Sequence, residues 1–224
     1  MLDIDAHLQH LIHANLDISD HLFTLKQYAL RCETVTELGT RFGVSTAAFI
    51  AARPKSIRCH DLVKYDNIPP LEESAKSLGI KFEFFEENDL QSDNIIESDM
   101  IFIDTMHTYK QLAMELYLFG NKAKKYLAFH DVILFGRQDQ PCFAPHEFQL
   151  DQKVSFSNPD LDAFYQGLGN EVGLMPAIEQ FLAAYPEWKI IDLNVFNNGL
   201  MVLGRRGYTD VSYAHSQMFM EVNK

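Results

Sequence analysis

The chain has 224 residues, the size of one α/β domain, and is 47% apolar and 12% aromatic, enough for a sizeable core. Charged residues make up 22%, as in ordinary globular proteins, which excludes wholesale disorder and fibrous classes. With 19 basic against 31 acidic side chains the net charge is −12, so phosphate backbones and anionic lipid surfaces are repelled, and neither nucleic acid nor membrane is expected as a partner.

Cys32, Cys59 and Cys142 are too few and too scattered for a disulfide framework or a zinc site, and fit a reducing compartment. The N-terminus places acids and histidines where a secretory signal needs a basic patch followed by an apolar run. No stretch reaches the ~18 apolar residues of a membrane span. A soluble, cytoplasmic protein is expected.

Residues 1–30 read as a helical extension broken near 15–20, with Leu8, Leu11 and Ile12 on one stripe. Leu22, Leu25 and Leu30 form another after a cap at Ser19 or Asp20. His7, His10 and His13 recur every third residue; a solvated or oligomer-facing helix is preferred over a metal face, because no carboxylate or cysteine completes the set. The period then changes. Residues 34–38 form a short β-branched strand running into Gly39-Thr40-Arg41-Phe42-Gly43, and 44–52 form a helix stopped by Pro54. A strand from Ser56 to Cys59 ends near Asp61, and a helix opened by Pro69-Pro70 is closed by Gly79. Strands follow at 81–85, at 100–103, which is apolar on both faces, and at 126–129, after a helix from Thr108 to about Lys124. This alternation predicts βαβ units and a parallel sheet.

After residue 135 the rhythm stops. Residues 137–170, with Pro141, Pro145 and Pro159, read as a long loop with at most short helices, the length of a functional lid. A helix at 172–185 precedes a hairpin of 189–195 and 200–205, turned by Asn197-Asn198-Gly199.

In such a sheet ligands bind at the carboxyl ends of the strands. Gly39 lets backbone approach a ligand, Gly43 lets the next helix start close to the strand, and Glu37 at the strand end suits a cationic or hydroxyl-bearing group. The G-x-G-x-x-G and G-x-x-x-x-G-K-[ST] phosphate motifs are absent, so the turn reads as a nucleoside site without phosphate machinery. Asp61 ends the second strand, where a carboxylate meets ribose hydroxyls, and Asp89 follows the third, where an acid could meet an adenine amino group. Asp104 and Asp131 end neighbouring strands and should converge across the cleft, as suits a hard divalent cation such as Mg²⁺. His107, within reach of a hydroxyl on that ion, suits a general base. The plain alternative, that the acids only cap the following helices, asks less of them than two acids and a histidine supply.

The ordered motifs, from residue 19 to 206, resemble the class I S-adenosylmethionine-dependent methyltransferases. The narrower likeness is to the O-methyltransferase branch described as methyltransferase family 24 or cephalosporin-hydroxylase-like. It is carried by Glu37-Leu38-Gly39-Thr40-Arg41-Phe42-Gly43-Val44-Ser45-Thr46, Phe102-Ile103-Asp104-Thr105-Met106-His107-Thr108-Tyr109 and Leu127-Ala128-Phe129-His130-Asp131. The tail Gly173-Leu174-Met175-Pro176, Pro186-Glu187-Trp188 and Asn198-Gly199-Leu200 completes it. The resemblance implies a doubly wound, Rossmann-like α/β fold with seven strands, mostly parallel with an antiparallel last strand, and helices on both faces. It implies a domain over 31–206 with 137–170 as substrate lid, and a C-terminal tail at 207–224. It implies cofactor contacts at Glu37, Gly39, Arg41, Gly43 and Ser45, ribose on Asp61, adenine near Asp89 and Leu90, and the methionine part near Asp104. Asp104 and Asp131 match metal ligands and His107 the base. Where catechol-type relatives carry a third ligand, asparagine, this chain has Val132; His130 is the available substitute, although imidazole is softer than Mg²⁺ prefers.

The expected chemistry is in-line transfer of the sulfonium methyl to a hydroxyl of a sugar, phenol or other small molecule, metal-assisted, with His107 taking the proton. Phe143, His146, Phe148, Phe156, Phe164 and Tyr165 are expected over the acceptor pocket, and Tyr208, Tyr213 and Phe219 suit a sheet cap or a homo-oligomer contact. The competing classes are a nicotinamide oxidoreductase, disfavoured by the missing diphosphate glycines, and a silent binding protein, disfavoured by the retained acids and base. A nucleic-acid methyltransferase lacks its Asn-Pro-Pro-Tyr or Asp-Pro-Pro-Tyr motif.

Overall fold

The computed structural model describes residues 2–141, Phe156 and residues 158–208. Seven strands form one sheet: β1 (Thr34–Leu38), β2 (Ser56–Asp61), β3 (Lys81–Glu86), β4 (Ser98–Ile103), β5 (Ala123–His130), β6 (Trp188–Asn194) and β7 (Leu200–Arg205). Their order is β3-β2-β1-β4-β5-β7-β6. The pairs among β1 to β5 are parallel, while β7 runs antiparallel to both β5 and β6. The sheet is therefore doubly wound and mostly parallel with an antiparallel last strand, as expected.

Among the described residues seven α-helices flank it: α1 (Ile4–Ile12), α2 (Leu22–Ala29), α3 (Val44–Ala52), α4 (Ile68–Ser77), α5 (Tyr109–Phe119), α6 (Pro159–Gly167) and α7 (Leu174–Ala184). The period-2 alternation of a strand explains how β4 serves two cores at once. Met100 and Phe102 pack with α1 to α4 on one face, and Ile101 and Ile103 pack with α5 and α7 on the other. The N-terminal helices belong to the first of these cores: Leu8, Leu22 and Leu25 are fully buried there. Leu30 departs from the expected stripe and is exposed, because α2 ends one residue before it.

The helix expected to reach Lys124 stops at Phe119. A 3₁₀ turn over Gly120–Lys122 follows, and Ala123 already pairs with Ser98 of β4. Gly120 sits at that stop against the ring of Phe181, where an added Cβ would lie 2.5 Å from its Cε2. Within the expected loop of 137–170, α6 is capped by Asn158, whose side chain accepts from the Asp160 N–H. Phe164 stacks on Tyr117, and Phe156 is buried with Leu90 and Met114. Cys142, Phe143, His146 and Phe148, and Tyr213 and Phe219 of the tail, lie outside the described residues. Among the described residues no helix is long and apolar enough to cross a membrane.

Candidate active site

The strand ends of β1, β2, β4 and β5 build the site. Beyond β1 the chain turns through three left-handed residues, Gly39 (φ +83°), Arg41 (φ +46°) and Gly43 (φ +76°). Gly39 lies so close to the end of β4 that a Cβ there would be 2.0 Å from the Asp104 carbonyl oxygen. The contact is tied by the Asp104 N–H, which donates to the Leu38 carbonyl at 2.9 Å. Asp61, at the end of β2, receives the backbone N–H of Arg41 at 2.6 Å and that of Val63 at 3.2 Å. The Arg41 side chain turns outward and pairs with Asp17 at 3.4 Å, both groups largely exposed.

Glu37 is placed differently from a strand-end ligand contact. Its side chain is wholly buried, receiving the hydroxyls of Ser45 and, at 2.6 Å, Thr46, and the Cys59 thiol at 3.3 Å. Burial pushes its carboxyl up to about 7 despite those three donors. Glu37 and Ser45 thus face one another inside the protein and brace the start of α3 from beneath the turn.

Asp89 opens a 3₁₀ turn after β3, and its neighbour Leu90 is buried in the small cluster with Met114. The Asp89 carboxyl points inward to α5, accepting from Gln111 at 3.4 Å and meeting Glu115. Glu115 is fully buried and also receives the Thr105 hydroxyl and, at 2.8 Å, the Gln111 amide. Burial, and for Glu115 the neighbouring Asp89 as well, pushes both carboxyls up. Glu115 and Gln111 did not stand out in the sequence. The signal available was a Gln and a Glu one helical turn apart within the apolar run of α5.

Asp104, His107 and Asp131 do converge. Asp131 follows β5 in a left-handed conformation (φ +61°), which turns its carboxylate toward the end of β4. His107 Nε2 lies 3.0 Å from Asp104 Oδ1 and 3.0 Å from Asp131 Oδ2. His130 reaches the same two oxygens from the interior, its Nδ1 3.4 Å from each. The other His107 nitrogen, Nδ1, lies 2.8 Å from Gln140 Oε1, which also accepts the His107 backbone N–H at 3.3 Å. An oxygen that accepts a backbone N–H places the ring proton on Nδ1 and leaves Nε2 aimed at the carboxylates. Phe135 stacks on the outer face of the ring. Gln140 is a further site residue that no motif or spacing marks in the sequence.

Burial works against charge on both imidazoles, yet the bonds and charges of Asp104 and Asp131 outweigh it, raising His107 to about 9 and His130 to about 10. Reciprocally, burial opposes ionisation of the two aspartates and the imidazoles overcome it, holding both below the usual carboxylate range. Without a cation, then, His107 carries a proton at neutral pH and cannot serve as a base. Donor atoms of Asp104, His107 and Asp131 lie within 4.8 Å of one another, and Asp131 Oδ1 is buried without a partner among the described residues. Two carboxylates, one of them with this unpartnered oxygen, and a neighbouring imidazole fit a divalent cation. Val132 contributes nothing to it, being buried in the core beneath α7. One residue beyond Asp131 begins a mainly apolar cleft of about 500 Å³, lined by Val132, Ile133, Leu134, Met175, Leu193 and Met201, with Arg137 and Gln138 among its polar members.

The sequence matches no family profile. It matches no curated protein either. Solved structures do resemble it. An O-methyltransferase from Bacillus cereus, in complex with SAH, superposes with a TM-score of 0.58 at 13% identity, covering 92% of this chain and 92% of its own. TomG, an O-methyltransferase of Streptomyces achromogenes involved in tomaymycin synthesis and solved with SAM, gives 0.54 at 13% identity, covering 92% of this chain and 91% of its own. A 1,6-didemethyltoxoflavin N1-methyltransferase from Burkholderia thailandensis, with 1,6-didemethyltoxoflavin and S-adenosylhomocysteine bound, gives 0.55 at 13% identity, covering 91% of this chain and 87% of its own. At such identities the likeness is one of fold, and the fold is that of the class I S-adenosylmethionine-dependent methyltransferases.

Proposed function

We propose that this chain transfers the methyl group of S-adenosylmethionine to a hydroxyl of a small molecule. The carrying observation is the convergence of Asp104, His107 and Asp131 beside the Gly39 turn, at the strand ends where this fold binds ligands. The turn supplies close backbone approach for the cofactor, Asp61 stands where ribose hydroxyls would lie, and the cleft beyond Asp131 accepts an acceptor with an apolar body. Asp104 and Asp131 would hold a divalent cation, which when bound supplies positive charge that makes a nearby hydroxyl easier to deprotonate.

His107 has the orientation for the proton. Gln140 fixes its tautomer, so the lone pair on Nε2 faces the reacting side, and the two carboxylates stabilise the imidazolium formed. A cation sharing the charge of those carboxylates would lower the proton affinity of this imidazole and return it to the neutral form that a base needs. The net charge of −12 supports a small acceptor over nucleic acid or a lipid surface. His107→Ala should abolish turnover of an acceptor alcohol while calorimetric affinity for S-adenosylhomocysteine stays within about twofold. Unchanged turnover would remove the base assignment, and absence of S-adenosylhomocysteine binding by the unaltered protein would remove the methyl-transfer reading.

A further inference from the structure

We propose that His130 makes the cation site a nitrogen-bearing one, selecting a nitrogen-accepting transition-metal ion such as Co²⁺ over Mg²⁺. The inference rests on the cation site of the proposed function and goes beyond it to the kind of ion. Its geometric basis is that two imidazoles face one pair of carboxylate oxygens. His107 Nε2 lies 3.0 Å from Asp104 Oδ1 and Asp131 Oδ2, and His130 Nδ1 lies 3.4 Å from the same two atoms. An ion held by those oxygens would have the His130 nitrogen within reach, whereas Mg²⁺ favours oxygen donors and water.

The two imidazoles are not equivalent. His107 stands on a loop with its side chain 13% exposed, free to exchange protons with a substrate. His130 ends strand β5 with its side chain 2% exposed, and cannot swing away to water. Its ring is held from behind by His21, packed at 70° with centroids 5.4 Å apart, and His21 is itself held through Nε2 at 2.9 Å from the Asn197 carbonyl. Among the described residues His130 Nε2 has no hydrogen-bond partner, and the ring's polar engagement there runs through Nδ1, toward the carboxylates. Position 132, from which an oxygen donor could have served a harder ion, is an apolar valine in the core. The division follows: His130 is the buried nitrogen donor and His107, the more exposed of the two, the base.

The test uses the full chain stripped with chelator and titrated with Mn²⁺, Co²⁺ or Mg²⁺ alone. Co²⁺ should bind at least about tenfold more tightly than Mg²⁺, and Mn²⁺ serves as the spectroscopic probe. Pulsed EPR of the Mn²⁺-loaded protein should show imidazole-nitrogen modulation that survives in His107→Gln and disappears in His130→Gln. Equal affinities for Co²⁺ and Mg²⁺, no binding of any ion, or nitrogen modulation lost in His107→Gln would overturn the proposal. If His130→Gln does not fold, the unaltered protein and His107→Gln still decide it. Affinity for S-adenosylhomocysteine, measured in parallel without metal, reports separately on the methyl-transfer reading.

Discussion

Replacing Gly39 by alanine tests how tightly the turn is fitted to the site, and Gly79 provides the control. Both glycines are left-handed, at φ +83° and +77°. An alanine in that region costs ~1–2 kcal/mol whatever surrounds it. At Gly79 the new methyl meets nothing within 4 Å, so Gly79→Ala should cost that strain alone. At Gly39 the methyl would lie 2.0 Å from the Asp104 carbonyl oxygen and 2.5 Å from its carbon, both backbone atoms that cannot rotate aside. Forcing backbone apart adds ~1–3 kcal/mol of overpacking, for a total of about 2–5 kcal/mol. At ~2–4 °C per kcal/mol for a chain of this size, Gly39→Ala should lower the melting temperature roughly twice as far as Gly79→Ala. The displaced atom belongs to Asp104, so Mn²⁺ affinity should fall in Gly39→Ala and stay unchanged in Gly79→Ala. Equal melting shifts with equal Mn²⁺ affinities would refute the fitted turn.

Two further outcomes concern protons. With His107 and His130 raised from 6.5 to about 9 and about 10, the cluster's favourable contribution is full below pH 6.5 and is lost as pH rises through 9–10; metal-free protein should therefore show a falling urea midpoint from pH 7 to 10, and Mn²⁺ should abolish that slope. Glu37, a carboxyl raised from 4.5 to about 7, acts in a lower window: its ionisation costs about 3 kcal/mol at ~1.4 kcal/mol per pH unit, so stability falls between pH 4.5 and 7, and Glu37→Gln should flatten denaturation midpoints there. A Glu37→Gln protein with the same slope as the unaltered one would show that the carboxyl is not buried as described.

Residues at the ends of parallel strands were readable because the sheet itself brings them together. Once β4 and β5 are recognised as neighbours in one direction, Asp104 and Asp131 must emerge at one edge, and a histidine three residues on cannot lie far away. What a strand end does not reveal is depth. Glu37 stands one residue before the end of β1 and Asp104 one residue after β4, yet Glu37 is sealed under Ser45 and Thr46 while Asp104 meets two imidazoles. The difference comes from α3 folding back over Glu37 from a left-handed Gly43, a decision made by backbone conformation that residue identity only permits.

The partners that tune the cluster were hidden for a related reason. Gln140 and His107 are 33 residues apart, and the Asn197 carbonyl that holds His21 is 176 residues from it. No periodicity links positions so distant; only the closed sheet does, by setting the β6–β7 turn beside the segment that enters α2. His130 illustrates the consequence. In sequence it is one member of a short motif before Asp131, and its softness counts against a Mg²⁺ site. Pinned between His21 and two carboxylates, the same softness becomes selectivity for a different ion. The residue type did not change between the two readings. Its confinement did, and confinement turns a substitute ligand into a specific one.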